Sequence, residues 1–246
     1  MNKTQILIAL VILSIFGVSA TYLDLSQLIS SKSEKPATER KVKHGEVRQY
    51  TKSKKLRTVV NYDQGIKHGT SYLYHDDGET ILLAMPYNKG KREGTSMKYF
   101  ESGVLYASTS YQNDRMHGPR KIHYSSGQLK AIINYGYGNP GTGTKEYLLD
   151  GTLKNENRIL AKKNGNIYLL STSEECKKSK FFIGKLIDDR YFNAVHKDVR
   201  LLPKDNGTYF VDLNVYTTSY LKLQDIICEC ESKQGNPIIL KTNLNP

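Results

Sequence analysis

The chain has 246 residues and carries 36 Lys and Arg against 24 Asp and Glu, a formal net charge of +12, with 18 Tyr and three Cys. This length accommodates one large domain or two modest ones. Beyond the N-terminus no apolar run reaches the roughly 20 residues of a spanning helix, which excludes several transmembrane helices and predicts a soluble chain after residue 20.

The first 20 residues have the pattern of a signal peptide. Lys3 is their only charge, residues 6–18 are apolar, and Val18-Ser19-Ala20 places small side chains before a cleavage site. The apolar run extends over about 15 residues, fewer than the roughly 20 that a spanning helix needs. We therefore expect cleavage after Ala20 and an exported product, periplasmic or secreted. The alternative is an uncleaved N-terminal anchor.

A polar linker is expected at residues 21–42, and basic residues are concentrated from its end into the first repeat. They define a candidate basic face: Arg40, Lys41, Lys43, Arg48, Lys52, Lys54, Lys55, Arg57 and Lys67. Only Glu46 and Asp63 oppose them in this stretch. Such a face attracts anionic lipid headgroups, acidic cell-wall polymers or an acidic protein, and the alternative is a merely solvated surface. A protein outside the cytoplasm is not expected to bind nucleic acid.

Glycine and tyrosine recur at a nearly constant interval between residues 43 and 154. Four glycines are separated by 24, 25 and 24 residues: Gly45, Gly69, Gly94 and Gly118. A tyrosine follows each of the first three glycines by five residues, at Tyr50, Tyr74 and Tyr99. After Gly118 the aromatic residue comes one position later, at Tyr124. A second tyrosine series is separated by 25, 24 and 24 residues: Tyr62, Tyr87, Tyr111 and Tyr135. The interval indicates about four to five copies of one unit.

Each unit is expected to be a β-hairpin. Residues 70–74 and 80–84 are rich in strand-forming residues, and glycines such as Gly69 and Gly78 supply turn positions with positive φ. One hairpin cannot bury its apolar face alone, so the hairpins are expected to stack, with the tyrosine rings packed on one another along the stack. The repeated glycines and tyrosines are therefore interpreted as structural residues rather than as ligand contacts.

The pattern resembles the bacterial variant of the MORN repeat over about residues 43–154. The matching positions run Tyr62-x-x-Gly65-x-x-His68-Gly69-x-x-x-x-Tyr74-x-x-x-Gly78, and the same spacing returns from Tyr87 to Gly103. A third copy, from Tyr111 to Gly127, has Asp114 where the others have glycine. The resemblance implies an all-β hairpin solenoid that binds protein partners or membrane lipids or acts as a rigid spacer. Bacterial proteins similar to this one are often labelled as antitoxin-like components.

Residues 155–246 lose the repeat interval and are expected to form a small β-rich C-terminal domain of unassigned family. Short apolar runs of β-type residues indicate strands, and Asn206-Gly207 indicates a hairpin turn. One helix is expected, either near residues 185–195 or near residues 220–231.

The three cysteines are Cys176, Cys228 and Cys230. An oxidising compartment favours one disulfide and one remaining thiol. Pairing Cys228 with Cys230 would strain a very small ring, so the expected disulfide joins Cys176 to one of the two. A zinc site built from the three thiolates is a minor alternative.

No catalytic, cofactor or metal site is expected. His44, His68, Glu93 and His117 each precede a repeat glycine, but equivalent residues in successive hairpins lie about 9–10 Å apart, too far to share one zinc ion. The sequence lacks the nucleophile and phosphate-binding motifs of the common hydrolases and nucleotide-binding enzymes.

These observations favour an exported, non-enzymatic interaction protein. The first hypothesis is that the repeat array binds a protein partner, as an antitoxin or immunity-like component. The alternative is a membrane- or cell-wall-associated scaffold that binds anionic surfaces through the basic face. An enzyme with its site in residues 155–246 is the third hypothesis.

Overall fold

The computed structural model describes residues 42–154, 157–173 and 176–244. The signal peptide, almost all of the expected linker, and Arg40 and Lys41 of the candidate basic face lie outside the described residues. The described chain is nearly all β, with antiparallel strands and one five-residue helix, so the expected all-β fold class is confirmed. No helix of the described ranges is long and apolar enough to cross a membrane.

The repeat region forms one antiparallel sheet of twelve strands. Its strands are β1 (Gly45–Tyr50), β2 (Leu56–Asp63), β3 (Ile66–Lys67), β4 (Gly69–Tyr74), β5 (Ile81–Asn88), β6 (Lys91–Arg92), β7 (Gly94–Tyr99), β8 (Leu105–Gln112), β9 (Arg115–His123), β10 (Leu129–Gly136), β11 (Asn139–Pro140) and β12 (Lys145–Glu146). The order across the sheet is β1-β2-β4-β5-β7-β8-β9-β10-β11, and β3, β6 and β12 pair with β2, β5 and β10. Sequential hairpins therefore lie side by side in chain order.

A two-residue turn with positive φ at both positions joins each hairpin to the next segment. The four turns are Gln64-Gly65, Lys89-Gly90, Asn113-Asp114 and Tyr137-Gly138. Two consecutive positive φ values are typical of a type I′ turn, which matches the twist of antiparallel strands. Asp114 has φ of 67°, near the 83° of Gly90, because Asp tolerates the left-handed region better than most residues. This explains how the third copy keeps the turn without its glycine.

The loop at the other end of each hairpin also has a constant geometry. The amide of its first residue donates to a carbonyl four or five residues later in five copies: Thr51, His75, Phe100, Tyr124 and Leu148. Tyr124 is therefore equivalent to Phe100, and His123 occupies the strand-end position of Tyr99. The displaced aromatic of the fourth copy is a change of residue type rather than an insertion.

The repeat sheet acquires a buried apolar cluster only toward its C-terminal end. Strands β1 to β8 make their principal contacts with neighbouring strands of the same sheet. The cluster lies on β8 to β10 and comprises Ala107, Ile122, Ala131, Ile133 and Tyr135. Within the described residues, much of the array is thus a single layer.

The remaining residues form two four-stranded sheets. Their strands are β13 (Ile159–Asn164), β14 (Ile167–Thr172), β15 (Lys177–Gly184), β16 (Val199–Leu201), β17 (Lys204–Asp205), β18 (Thr208–Asp212), β19 (Asp225–Glu231) and β20 (Pro237–Thr242). The sheet orders are β13-β14-β18-β17 and β16-β15-β19-β20. The expectation of a β-rich C-terminal region is confirmed.

The two small sheets pack face to face around one core. Tyr168, Leu170 and Val211 of the first sheet pack with Phe181, Ile226 and other buried residues of the second. The opposite face of the second sheet is also buried, with Phe182, Ile227 and Ile239 packed against Leu186, Phe192 and Val199. The second sheet is therefore apolar on both sides, as its runs of buried residues indicate.

The helix α1 spans Thr218–Lys222, with Thr217 as its N-cap. Of the two helices expected as alternatives, the one at residues 185–195 is wrong, because this segment contains turns and isolated bridges. The second, at residues 220–231, is also largely wrong, since Asp225–Glu231 is strand β19. The run Ile226-Ile227-Cys228 is short and buried, a pattern that periodicity alone cannot distinguish from a buried helical segment.

A seam joins the end of the repeat sheet to the C-terminal sheets. The ring of Tyr191 packs directly on Gly136 and Gly141, where any Cβ atom would overlap it. The carboxylate of Glu146 is buried and accepts hydrogen bonds from Ser232 (2.6 Å) and Asn236 (2.5 Å). These contacts require glycine and a carboxylate at positions that the repeat pattern does not demand.

Candidate interaction surface

Cations alternate with tyrosine rings along one face of the repeat sheet. Lys43 lies over Tyr62 at 5.2 Å from the ring centroid, Lys67 over Tyr87 at 4.9 Å, and Arg92 over Tyr111 at 4.7 Å. Each cation stands two residues before a repeat glycine. We call this set, with Met116 and Tyr135 at its end, the cation–tyrosine row.

The row is continuous because each tyrosine also pairs across strands with the next cation. Tyr62 is opposite Lys67, and Tyr87 is opposite Arg92. Tyr111 is opposite Met116, which packs against the cluster containing Tyr135. The fourth unit thus replaces the cation with an apolar side chain where the buried cluster begins.

The expectation that these tyrosine rings pack on one another is wrong. Successive tyrosines of the series lie two strands apart, about 9–10 Å, which exceeds the distance of a ring-to-ring contact. A Lys or Arg side chain fills that space, and its charge is attracted to the face of the ring. The partners of Tyr62, Tyr87 and Tyr111 are therefore cations.

Arg92 has the most contacts of the three cations. Its backbone amide donates to the Asp114 carboxylate at 2.9 Å, and its guanidinium donates to the Asp114 carbonyl at 2.6 Å. The backbone bond foremost, and then the 3.3 Å bond from Arg92 Nε to the carboxylate, lower the pKa of the Asp114 carboxyl below its usual value. The aspartate that replaces a turn glycine therefore also positions the arginine over Tyr111.

The residues directly before the repeat glycines contact the turns of the neighbouring copy. His44 Nδ1 lies 3.5 Å from the Gln64 amide, and Glu93 accepts a hydrogen bond of 2.8 Å from the Asn113 amide. His117 makes an edge contact with the Tyr137 ring. In the described residues, no group of three or more His, Cys, Asp or Glu is arranged to hold a metal ion.

The opposite face of the sheet carries a second set of apolar and tyrosine side chains. Cross-strand pairing places Val59, Tyr72, Ala84 and Met97 in one row across β2, β4, β5 and β7. Tyr74 and Tyr99 lie two residues beyond Tyr72 and Met97, on the same side of their strands. We call these six residues the tyrosine face.

The tyrosine face is repeated and partly accessible. Tyr74 and Tyr99 end their strands at the same shift in strand register, where they lie opposite Ile81 and Leu105. The Tyr99 hydroxyl lies 3.3 Å from Met97 Sδ. Met97 is 41% exposed, and Tyr50, the equivalent of Tyr74 in the first hairpin, is 57% exposed. Of the six residues, Met97 is exposed, Tyr72, Tyr74, Ala84 and Tyr99 are half-buried, and Val59 is buried.

The candidate basic face is distributed rather than gathered on one side. Arg48 pairs with Glu46 at 2.5 Å, which raises the pKa of Arg48 above its usual value. Arg57 pairs with Asp76 at 3.1 Å, and the Lys55 ammonium donates to the Asp76 carbonyl. Lys43 and Lys67 belong to the cation–tyrosine row, while Lys52 and Lys54 lie in the exposed loop after β1.

The cysteines lie in the core of the C-terminal sheets. A disulfide joins Cys176 to Cys230, with their Cα atoms 5.5 Å apart. Cys228 is a free, fully buried thiol, and burial raises its pKa to about 12. Such a thiol is inert as a nucleophile.

Sequence reasoning missed the stacking cations and the buried Glu146. Lys43, Lys67 and Arg92 share one position before the repeat glycines, so their period was visible, although their contact with the rings was not. Glu146 gave no signal, because its partners lie 86 and 90 residues away.

Comparison with known proteins identifies the repeat. Residues 92–113 and 116–136 match the family model described as MORN repeat variant. Both matched segments begin at the position of the stacking side chain, Arg92 and Met116, and extend to the type I′ turn or the residue before it. No curated protein matches the chain. MORN repeats are a non-catalytic repeat type that commonly mediates protein or membrane interactions. With the hairpins in sequential register and the family's pattern in two adjacent copies, this chain carries MORN repeats of the variant type.

Proposed function

We propose that this protein is an exported, non-enzymatic interaction protein whose repeat array binds an acidic protein partner through the tyrosine face. The observation that carries the proposal is the row of Tyr72, Ala84 and Met97 on an open, single-layer sheet. Tyrosine and methionine are enriched in the centres of protein interfaces, because they bury a large contact area.

The charge of the array supports an acidic partner. Residues 43–154 contain seventeen Lys and Arg against ten Asp and Glu, a net charge of +7. Lys121 lies on the same side of the sheet as the tyrosine face, and so do Arg48 and Arg57, whose charges are paired with Glu46 and Asp76. Opposite charge on a partner would accelerate association and select against basic proteins.

Export is supported by two independent features. The first 20 residues have signal-peptide composition, and the disulfide between Cys176 and Cys230 suits an oxidising compartment. Cleavage after Ala20 would leave Thr21 as the first residue. N-terminal sequencing of the cellular protein tests this, and an intact Met1 on membrane-bound material would favour the anchor.

A toxin fits the proposed partner class, because neutralising a toxin requires binding alone. Antitoxin or immunity-like action is therefore the finer form of the proposal. The competing function is a scaffold on anionic membranes or cell-wall polymers, which would use the basic residues around the loop after β1.

A photocrosslinking amino acid at Met97 tests the proposal in cells that export the protein. Lys98 is the matched control position, since it is the exposed neighbour on the other face of β7. We expect one acidic protein to be crosslinked from position 97 and not from position 98. Equal crosslinking from both positions, or crosslinking to lipid alone, would contradict the proposal.

A further inference from the structure

The first strand of the repeat sheet has one free edge. β1 pairs only with β2 in the described chain, whereas the other end of the sheet continues into the seam with the C-terminal sheets. The free edge contains no proline and no bulge before Gln49, two of the devices that normally prevent strands from pairing.

The backbone register shows which groups point outward. The Asn61 carbonyl accepts a hydrogen bond from His68, so Asn61 faces away from β1. Successive residues of a strand direct their backbone groups to opposite sides, so Val60 faces β1 and bonds with Val47, its partner in register. Glu46 and Arg48 therefore direct their N–H and C=O groups to the free edge.

We propose that β1 pairs antiparallel with β1 of a second copy of this chain, about a two-fold axis at Val47. In this register Glu46 lies opposite Arg48 of the second copy, and Arg48 lies opposite its Glu46. Both are outward-facing residues, so they can exchange reciprocal backbone hydrogen bonds. Their side chains lie on one face as two pairs of opposite charge, an arrangement that stabilises antiparallel strands.

Neighbouring registers lack this complementarity. A slip by one residue sets outward-facing Glu46 opposite inward-facing Val47 and loses the hydrogen bonds. A slip by two places either Glu46 opposite Glu46 or Arg48 opposite Arg48, and like charges in direct opposition destabilise pairing. The two-fold register is thus selected by both the backbone and the charges, and an isologous dimer needs such a self-complementary patch.

Reversing the charge of Glu46 or of Arg48 tests the proposal, with the full chain as isolated from cells. Arg48→Glu gives copies with two acidic residues on β1, and Glu46→Arg gives copies with two basic ones. Sedimentation velocity should show a concentration-dependent dimer for the unaltered chain and at least tenfold weaker dimerisation for each variant alone. An equimolar mixture of the two variants should recover the dimer, because every cross-strand pair again has opposite charges. Lys121→Glu, on an exposed site of β9, is the control for charge reversal and should leave the dimer unchanged.

Hydrogen exchange supplies a second measurement that does not depend on the substitutions. The amides of Glu46 and Arg48 should exchange at least tenfold more slowly at concentrations where the dimer forms. A monomer at every concentration would overturn the proposal. A dimer that survives both charge reversals, or that the mixture fails to restore, would place the interface elsewhere and also overturn it.

Discussion

Arg92 lies over the ring of Tyr111, 4.7 Å from its centroid, while its guanidinium donates to the carbonyl of Asp114. Lys67 lies over Tyr87 in the same way, from the neighbouring strand, without an aspartate to hold the cation. The repeat sheet thus derives cohesion from side chains that bridge successive hairpins where a second layer is lacking. Removing these bridges should weaken the array in proportion to their contacts.

Replacing the stacking cations tests their contribution directly. Lys67→Ala should lower the free energy of unfolding by about 0.5–1 kcal/mol, the value of an exposed cation–π contact. Arg92→Ala should lower it further, because its hydrogen bonds with Asp114 are also lost. The loss of unfolding free energy for Arg92→Met should lie between those of Lys67→Ala and Arg92→Ala, since Met116 occupies the equivalent position in the next unit. Urea unfolding followed by circular dichroism measures the order of the three.

The type I′ turns predict which residues their second position accepts. Gly90 has φ of 83°, and a Cβ there would lie 3.1 Å from Ile66 Cγ2. Gly90→Val should destabilise the protein by about 1–3 kcal/mol, because a β-branched residue resists positive φ. Gly90→Asn should cost clearly less, as the natural Asp114 shows. Thermal unfolding compares the variants, and equal losses would contradict the turn assignment.

Acid should weaken the array through Asp77. Its carboxylate accepts hydrogen bonds from the amides of Glu79 and Thr80, and bonding to Thr80 is the main reason its pKa falls to about 2. Because the pKa is lowered on folding, its stabilisation is present above the unfolded value near 4 and is lost as the pH falls toward 2. Asp77→Asn should reduce this loss of stability between pH 4 and pH 2, measured as the urea midpoint at each pH. A variant with the wild-type pH profile would contradict the role of Asp77.

Glu146 should be essential to the seam. Its carboxylate is 7% exposed and accepts from the Ser232 hydroxyl and the Asn236 amide. Glu146→Ala leaves both donors without this acceptor and should destabilise the protein by about 2–4 kcal/mol. Glu146→Gln keeps one acceptor oxygen and should cost less. Denaturant unfolding measures the loss. A change in the free energy of unfolding of less than about 0.5 kcal/mol, as for an ordinary surface glutamate, would contradict this role of Glu146.

The interval of glycines and tyrosines was sufficient to predict the hairpins, because strand alternation and turn conformation are local properties. Asp114 shows the same locality, since its tolerance of positive φ explains the missing glycine. The contacts of Tyr87 were not predictable from spacing, which places rings at a common position without indicating what lies between them. The seam was invisible for a different reason. Gly136 and Tyr191 lie 55 residues apart and contact only after both parts have folded.

Residues 220–231 show why the C-terminal elements were harder to predict. Thr217 caps a helix that ends within two turns, and a buried strand follows almost at once. The strand is buried on both faces, so its apolar run has neither the two-residue nor the 3.6-residue period that separates strands from helices. Packing between the two sheets, rather than local preference, determines this segment.

The affinity for the acidic protein crosslinked at position 97 tests the central claim most directly. Titration calorimetry at low and high salt should compare the unaltered chain with a Tyr72→Ala, Met97→Ala double variant and with Tyr220→Ala as an exposed tyrosine control. We predict that the double variant binds at least about 30-fold more weakly at both salt concentrations, as expected for the loss of central interface residues worth about 2 kcal/mol, while the control binds normally. Unchanged affinity of the double variant would contradict the account. The account would also be contradicted if the chain bound anionic vesicles instead of the protein, and if this binding were lost at high salt and in a variant with Lys52, Lys54 and Lys55 each replaced by Glu. That result would assign the function to the basic residues.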